Sequence, residues 1–205
     1  LADVDQDIGP ALRALAQALG ANAAPLLAAE APAAPAPSGA LTPVAMGQSL
    51  RALMPAQAIV SDEAVTCGMA LFPLTENARA HDWLTLTGGA IGQGLPLALG
   101  AAIACPERKV IALQADGSAM YTLQALWTMA REQADVTVVL LNNRSYAILN
   151  VELARVGAGL ANAKTLSMLS LSQPDINWVE LSTGMGVAAT RASSAAEFHA
   201  QFAAA

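Results

Sequence analysis

Short apolar runs and stretches of helical spacing alternate along the second half of the chain. The run Val110–Gln114 stops abruptly at a polar turn, Ala115-Asp116-Gly117-Ser118, and the run Val136–Leu141 stops at Asn142-Asn143. Between the two runs, apolar residues recur at the spacing of one helix face: Leu123, Leu126, Trp127 and Ala130. Parallel strands need a crossover of this kind, so the pattern predicts a βαβ unit.

The polar turns that follow these two strands should meet. The carboxyl ends of parallel strands lie at one edge of the sheet, where open α/β sheets bind ligands. We therefore expect Asp116 and Asn143, 27 positions apart in sequence, to be neighbours. A carboxylate and an amide oxygen suit Mg²⁺, which commonly takes one or two carboxylates together with substrate phosphates. The backbone carbonyl of Ser145 is a candidate third ligand.

The start of the crossover helix is a candidate anion site. The N–H groups of Gly117 and Ser118 open that helix, and N–H groups at a helix start favour negative charge. Together with the metal ligands, these N–H groups would form a binding site for a magnesium-bound diphosphate. Spacing alone leaves a second interpretation equally open, in which Asp116 only caps the helix and Asn142-Asn143 is only a turn.

The rest of the chain supplies further elements of one α/β domain. Helices are predicted from Pro10 (with Leu12, Leu15 and Leu19 on one side), over Pro43–Leu53, Ser145–Gly159 and Asn177–Met185, and over Ser194–Ala204. Short strands are predicted over Ala58–Ser61, Trp83–Thr87 and Val187–Thr190. Three prolines between Ala31 and Ala40 forbid a regular helix there and indicate a linker.

Composition narrows the class of protein. The 205 residues carry a net charge of −6 with no basic cluster, which argues against nucleic acid and anionic membranes as partners. The apolar stretch Gly89–Pro106 is too short and too broken to span a bilayer. Cys67 and Cys105 are isolated, so we expect buried free thiols in a reducing cytoplasm. The chain begins with Leu and shows no signal peptide, so we expect a piece of a longer polypeptide.

A glycine-rich stretch follows the strand near Trp83. Gly88, Gly89, Gly92 and Gly94 permit unusual backbone angles and close approach of a ligand to the main chain. A dinucleotide site is one possible interpretation. However, GAIGQG reverses the usual order of that fingerprint, which also needs an acidic residue about 20 positions further on.

These motifs together resemble a known family. Asp-Gly-Ser followed by an Asn-Asn pair resembles the signature of thiamine diphosphate enzymes, and GGAIGQGLPLALGAAIACPERKVIALQADGS is similar to the cofactor domain of the acetolactate synthase and benzoylformate decarboxylase family. The likeness runs from about Pro43 to Phe198. Ala115 departs from it by replacing the first glycine of the family's triplet, a change that we interpret as a tolerated variant.

The resemblance implies a fold and a division of the chain. The fold is α/β and doubly wound, with a mostly parallel sheet and helices on both faces. Residues 1–40 would be the end of a preceding middle domain plus the linker. Residues 41–205 would be the diphosphate-binding domain, lacking its last strand.

The resemblance also implies roles for single residues. Thr66 would contact the diphosphate, the carbonyl of Gly89 would accept the aminopyrimidine amine, and Ile91 would wedge under the bent cofactor. Tyr146 would border the cofactor, while Ile148 and Leu149 would line the substrate pocket. Plainer interpretations remain for several of these positions: Asp62 capping a helix beside Thr66, and ordinary packing for Ile91, Ile148 and Leu149. Glu63 is the kind of residue that orients a loop, and it is assigned no chemistry.

The implied protein is a 2-oxo acid decarboxylase or an acetolactate synthase-like carboligase that uses thiamine diphosphate and Mg²⁺. The glutamate that activates the cofactor would come from a pyrimidine-binding domain of a partner subunit, so no catalytic residue is expected in these 205 residues. They would be inactive alone, and the whole protein would be a homodimer or homotetramer. Two alternatives are a pyruvate oxidase-type relative that also holds FAD and a non-catalytic remnant of the fold.

Overall fold

A computed structural model describes residues 6–21, 35–157 and 162–205. Four strands are present: β1 (Ile59–Glu63), β2 (Asp82–Thr85), β3 (Val110–Ala115) and β4 (Val136–Leu141). The first helices are α1 (Ile8–Ala18), α2 (Pro43–Leu53), α3 (Gly68–Thr75), α4 (Gly94–Ala104) and α5 (Asp116–Thr122). They are followed by α6 (Ala125–Glu132), α7 (Ala147–Arg155), α8 (Ala163–Leu169), α9 (Trp178–Gly184) and α10 (Ala195–Ala204).

The four strands form one sheet in the order β2-β1-β3-β4, and every pairing is parallel. Val60 lies opposite Trp83 on one side and Ile111 on the other, and Leu113 lies opposite Val139. Strand β4 is an outer strand: among the described residues its ladder partner is β3 alone. The βαβ unit predicted from the apolar runs is therefore confirmed, with both strand ends at one edge of the sheet.

Successive side chains of the central strand β3 lie on opposite faces of the sheet and belong to two separate hydrophobic cores. Val110 and Ala112 pack with residues of α4, α6 and α9 on one face of the sheet. Ile111 and Leu113 pack with residues of α2, α3 and α10 on the other face. Burying each large aliphatic side chain contributes about 1.5–3 kcal/mol, so strand β3 stabilises both layers at once. Helices thus cover both faces, as the doubly wound α/β prediction requires.

Two helices begin where the sequence places their caps. The Thr42 hydroxyl accepts a hydrogen bond from the Ala45 N–H (3.2 Å), and Pro43 occupies the first turn of α2. At α10, the Ser194 hydroxyl accepts from the Glu197 N–H (3.2 Å) and the Glu197 carboxylate accepts from the Ser194 N–H (3.2 Å), which is a capping box. The bounds predicted for α2 are confirmed, and α10 begins one residue late.

The crossover between β3 and β4 is two helices rather than one. Helix α5 ends at Thr122 and α6 starts at Ala125, so the helix phase changes between them. Leu126 is buried, but Trp127 is 52% exposed, and the Arg131 guanidinium lies over its ring at 5.2 Å. Of the residues predicted to share one helix face, Leu126 is therefore buried and Trp127 is exposed.

Other elements also differ from the sequence pattern. Val187–Thr190 forms no strand; the Val187 N–H instead donates to the Ser182 carbonyl as α9 ends. Strand β2 ends at Thr85, two residues early, because the glycine-rich loop begins there. Helix α1 begins at Ile8, two residues before the predicted start, and ends before Leu19; both Leu12 and Leu19 are exposed.

Part of the N-terminal prediction lies outside the described residues, namely 1–5 and 22–34 of the expected middle-domain tail and linker. The end of that linker is held in place: the Ala195 N–H donates to the Gly39 carbonyl (3.1 Å), and Ala40 forms an isolated bridge with Ser194. The division of the chain near residue 40 stays a prediction.

Candidate functional site

Asp116 links the two strand ends at the carboxyl edge of the sheet. Its Oδ1 accepts from the Gly117 N–H (2.9 Å) and its Oδ2 accepts from the Arg144 N–H (2.6 Å). The side chain is almost fully buried, with 1% of the residue exposed. Each carboxylate oxygen retains lone-pair capacity for a further partner. The structure therefore brings the turn after β3 and the turn after β4 into direct contact.

Burial and hydrogen bonding act in opposite directions on the pKa of Asp116. Desolvation raises the pKa of its carboxyl above the usual range, and the backbone N–H groups of Gly117, Arg144 and Asn143 oppose that rise. A cation bound to the carboxylate would favour its ionised form. An acid already held by N–H groups needs little rearrangement to become a ligand.

The turn after β4 is folded around its own side chains. Asn143 Oδ1 accepts from the Ser145 N–H (2.9 Å), and Asn142 Oδ1 accepts from the Arg144 N–H (3.1 Å). Arg144 has a φ of +58°, a left-handed conformation that turns the chain sharply enough to reach Asp116. The Asn143 amide oxygen accepts the hydrogen bond from Ser145 and so has capacity for a second partner.

A narrow cleft lies between these turns. Eight residues singled out from the sequence line it: Thr66, Ile91, Gly117, Ser118, Asn143, Ser145, Tyr146 and Ile148. Ala115 also lines the cleft, while Gly89, Asp116 and Leu149 do not; Asp116 is buried and Leu149 is 44% exposed. The cleft is therefore assembled from four separate stretches of sequence.

Gly117 is required by close packing on one side of the cleft. A Cβ at this position would lie 2.7 Å from the Tyr146 ring, which covers the turn. The Gly117 N–H donates to Asp116, so in this arrangement it serves the carboxylate rather than the cleft. Burial raises the pKa of the Tyr146 hydroxyl, which therefore stays protonated and available as a donor at neutral pH.

Ala115 does not need the conformational freedom of glycine. Its φ of −75° and ψ of 148° are ordinary extended values. The departure from the family triplet is therefore explained by the backbone, which accommodates a methyl group without strain.

Glu63 has a structural role that the sequence pattern did not reveal. Its carboxylate is fully buried at the end of β1 and accepts four hydrogen bonds. The N–H groups of Gly92 (2.6 Å) and Gln93 (3.1 Å) donate to Oε1, whereas the Gly94 N–H (3.1 Å) and the Gln114 side-chain amide (2.7 Å) donate to Oε2. Glu63 therefore holds the end of the glycine-rich loop. The available signal was an acidic residue at a strand end that precedes a run of glycines.

The same contacts contradict a dinucleotide site. In dinucleotide-binding domains, a helix start after a glycine-rich turn receives the pyrophosphate. Here the Glu63 carboxylate occupies the start of α4, so a second anion would be repelled. A Cβ on Gly94 would lie 2.4 Å from Gln114 Oε1 and 2.7 Å from the Glu63 Cβ, so this glycine serves close packing.

Asp62 does not cap a helix, contrary to the plainer interpretation of its position. Its Oδ1 accepts from the Ala64 N–H (3.0 Å) and its Oδ2 accepts from Trp83 Nε1 (3.2 Å). Helix α3 begins after Cys67 with no side-chain cap. Burial raises the pKa of Asp62, and the two hydrogen bonds oppose that rise.

The described residues provide no second candidate metal site. Three or more His, Cys, Asp and Glu side chains do not gather anywhere in this part of the chain. Cys67 and Cys105 are free thiols, half-buried rather than buried as predicted. No helix among the described residues is long and apolar enough to cross a membrane.

A parallel α/β sheet with two buried carboxylates, Glu63 and Asp116, at the carboxyl ends of its strands has the architecture of domains that bind ligands at that edge. The sequence specifies the member: residues 64–205 match the model for the C-terminal TPP binding domain of thiamine pyrophosphate enzymes, and the chain belongs to that family. Both the family and the fold predicted from the sequence are therefore confirmed.

Individual relatives agree with this assignment. "Putative acetolactate synthase large subunit IlvX" of Mycobacterium tuberculosis is 52% identical over 163 residues, which are 79% of this chain and 32% of that protein. Benzoylformate decarboxylase of Pseudomonas aeruginosa is 31% identical over 193 residues, 93% of this chain and 35% of that protein.

A solved structure shows the same fold. The thiamine diphosphate-dependent 4-hydroxybenzoylformate decarboxylase of Rhodococcus jostii RHA1 superposes with a TM-score of 0.76 at 29% identity, covering 96% of this chain and 36% of that one. The chain thus spans about a third of the length of the relatives that it matches.

Proposed function

We propose that this chain binds the magnesium-diphosphate end of thiamine diphosphate between the turns after β3 and β4. Asp116 and Asn143 would bind Mg²⁺ through side-chain oxygens, and Ser145 through its backbone carbonyl. The observation that carries this proposal is the hydrogen bond from the Arg144 N–H to Asp116 Oδ2, because it fixes both ligand turns at one point. Hard oxygen donors of this kind are the ones that Mg²⁺ prefers.

Three cleft residues and the nearby Gly89 fit the other parts of the cofactor. Thr66 and Ser118 line the cleft together with Asn143 and would contact the diphosphate. Ile91 gives the cleft an apolar wall and would support the bent cofactor. Gly89, with a φ of +71° and open space where a Cβ would point, leaves its backbone accessible to the aminopyrimidine.

The proposed activity is decarboxylation of a 2-oxo acid, or its use in carboligation. When bound, thiamine diphosphate supplies a carbon nucleophile and an electron sink for the loss of CO₂. The chain's own residues position the cofactor and exclude water: Tyr146 covers the turn at Gly117, and Ile148 adds a second apolar side chain to the cleft. Decarboxylase and synthase names among the relatives support this class, and none of those quoted above mentions flavin.

Residues outside this chain complete the proposed enzyme. The activating glutamate would come from a pyrimidine-binding domain on a partner subunit, so the whole protein would be at least a dimer, either a homodimer or a homotetramer. The fact that the chain covers only about a third of its relatives supports further domains. The two free thiols support a cytoplasmic location. The unstrained Ala115 removes the one sequence feature that favoured a non-catalytic remnant.

Calorimetry tests the cofactor proposal directly. The protein containing this chain and its pyrimidine-binding domain is titrated with thiamine diphosphate in the presence of Mg²⁺ and again with a chelator. We expect saturable binding that depends on the metal, and turnover of at least one of pyruvate, benzoylformate and a branched 2-oxo acid. Metal-independent binding, or no binding, would contradict the proposed site.

A further inference from the structure

A buried network joins the glycine-rich loop (residues 88–94) to the turn that carries Asp116. The Gln114 amide donates to Glu63 Oε2 (2.7 Å) and to Ser118 Oγ (2.6 Å). The Ser118 hydroxyl lies within hydrogen-bond distance of the Ala115 carbonyl (3.1 Å) and the Glu63 carbonyl (3.3 Å). The side chains of this network are almost completely shielded: Glu63 and Gln114 are 0% exposed and Ser118 is 3% exposed.

We infer that Glu63 and Gln114 are positioning residues that fix the glycine-rich loop relative to the diphosphate turn. This inference rests on the proposed function, since it assigns the loop to the aminopyrimidine end of the cofactor and the turn to the diphosphate end. One ligand spans both, so the spacing between loop and turn decides where its reacting carbon lies. The Glu63–Gln114 contact is a direct link between the two.

The network requires a carboxylate rather than any polar side chain at position 63. All four groups that face Glu63 are N–H donors: three successive backbone groups, from Gly92 to Gly94, and the Gln114 amide. A carboxylate accepts on both oxygens, whereas an amide would turn an NH₂ group toward donors. Because the site is buried, an unsatisfied donor there is costly.

Tight packing prevents the network from adjusting. Gln114 Oε1 faces the Gly94 Cα, where a Cβ would lie at 2.4 Å, and it has no hydrogen-bond partner among the described residues. The Gln114 amide therefore cannot flip without turning an oxygen toward the Glu63 carboxylate. The Ser61 hydroxyl also donates to the Gly94 carbonyl (2.9 Å), while the Glu63 carboxylate accepts from the Gly94 N–H. Two side chains of β1 therefore bind both backbone polar groups of Gly94.

The consequence for catalysis falls on geometry more than on affinity. Gly89 and Ile91 lie just upstream of the three anchored N–H groups, so a shift of the anchor moves both. The proposed metal ligands Asp116 and Asn143 are not among the hydrogen-bond donors to the Glu63 carboxylate in the described part of the chain, and they would still hold the diphosphate. A displacement of about 1 Å at a reacting centre costs roughly a hundredfold in rate.

Two isosteric variants and an exchange variant test this inference. Glu63→Gln keeps the volume and removes the carboxylate. Gln114→Met removes the amide that joins loop and turn, while leaving the backbone contacts of Glu63 in place. The double variant E63Q/Q114E keeps one buried negative charge but moves it off the loop. Thr75→Val is the matched control, because it removes a fully buried hydroxyl that bonds only within α3.

Three readouts are taken on the protein that contains this chain and its pyrimidine-binding domain: kcat at saturating cofactor, Kd for thiamine diphosphate with Mg²⁺, and amide hydrogen exchange over residues 88–97 without cofactor. For E63Q we expect kcat to fall about a hundredfold, Kd to rise by less than about tenfold, and exchange to accelerate. Gln114→Met should show a smaller change in the same direction. E63Q/Q114E should not recover kcat, and Thr75→Val should retain it.

Each contrary outcome is informative. Unchanged kcat and unchanged exchange in E63Q would overturn the inference, as would recovery of kcat in E63Q/Q114E, which would show that only buried charge matters. An equal loss of kcat in Thr75→Val would show that the effect comes from a general loss of stability, and it would also overturn the inference. Should the wild-type protein fail to bind Mg²⁺ and thiamine diphosphate, the proposed function would fail, but the exchange comparison would still test the anchor. If E63Q does not fold, the inference is tested with Gln114→Met by the same three measurements.

Discussion

The N–H group of Arg144 donates to Asp116 Oδ2 across 2.6 Å, although 28 positions separate the two residues in sequence. This single bond ties the end of β3 to the end of β4 at the place where ligands meet the sheet. It depends on the left-handed conformation of Arg144, whose φ is +58°. The two turns that carry the proposed metal ligands are therefore held together by the fold itself.

Replacing Asp116 with Ala should abolish metal-dependent cofactor binding. The variant loses the only carboxylate of the proposed ligand set, so the Kd for thiamine diphosphate should rise by more than the roughly 10–100-fold cost typical of an outer-shell partner. Calorimetry with and without Mg²⁺ measures this change. Asp135→Ala is the control, because it removes the same charge from an exposed residue that pairs with Lys109. Wild-type affinity in the Asp116 variant would exclude the proposed metal site.

Restoring the family glycine at Ala115 should bring no gain in binding. The backbone there is already extended and unstrained, so glycine adds only freedom to the unfolded chain. We expect Ala115→Gly to lower the free energy of unfolding by about 0.5–1 kcal/mol and to leave the Kd for cofactor within about twofold. Urea denaturation and calorimetry measure the two quantities. A tenfold tighter Kd would show that the methyl group obstructs the diphosphate after all.

Two glycines of α4 should respond to alanine in opposite ways. At Gly94 the added methyl group would meet Gln114 and Glu63 at 2.4–2.7 Å, so we expect Gly94→Ala to destabilise the protein by about 1–3 kcal/mol. At Gly100 a Cβ meets nothing within 4 Å, and Ala is the better helix former. Gly100→Ala should therefore stabilise by about 0.5–1 kcal/mol. Equal effects in chemical denaturation would contradict the packing described around Gly94.

The capping box of α10 should weaken at low pH. Hydrogen bonds from the N–H and hydroxyl of Ser193 and from the N–H of Ser194 lower the pKa of Glu197 below its usual range. The stability that it contributes is therefore fully present above about pH 4.3, where an unperturbed Glu titrates, and is lost as the pH falls through the lower folded value. Melting temperatures of the wild type and Glu197→Gln should differ at pH 6 and converge near about pH 3. A constant difference across that range would rule out the ionised cap.

Local signals were sufficient for the central βαβ unit. Val110–Gln114 and Val136–Leu141 are apolar runs that end in turn residues, and both are strands in the structure. Thr42 followed by Pro43 marks a helix start by residue type alone, and α2 begins there. Such elements are specified by neighbours in sequence, which is why they could be predicted.

Long-range contacts decided the features that sequence reasoning missed. The four donors to Glu63 lie 29–51 positions away, so its role appears only when β1, α4 and β3 are assembled. Val187–Thr190 has strand-like residues, but strand formation needs a pairing partner. Trp127 lies next to the buried Leu126 within α6 but is exposed, because α6 buries Ala125, Leu126 and Met129 instead. The roles of the cleft residues toward cofactor stay predictions.

The outer position of β4 has a practical consequence for handling this chain. Its side chains are half-buried, and in the described part of the chain one row of its backbone N–H and C=O groups meets no strand. An exposed row of that kind is a template for intermolecular pairing and aggregation. Expression of these 205 residues in isolation therefore calls for low protein concentration or a covering fusion partner. Concentration-dependent light scattering is the first quality check before any binding measurement.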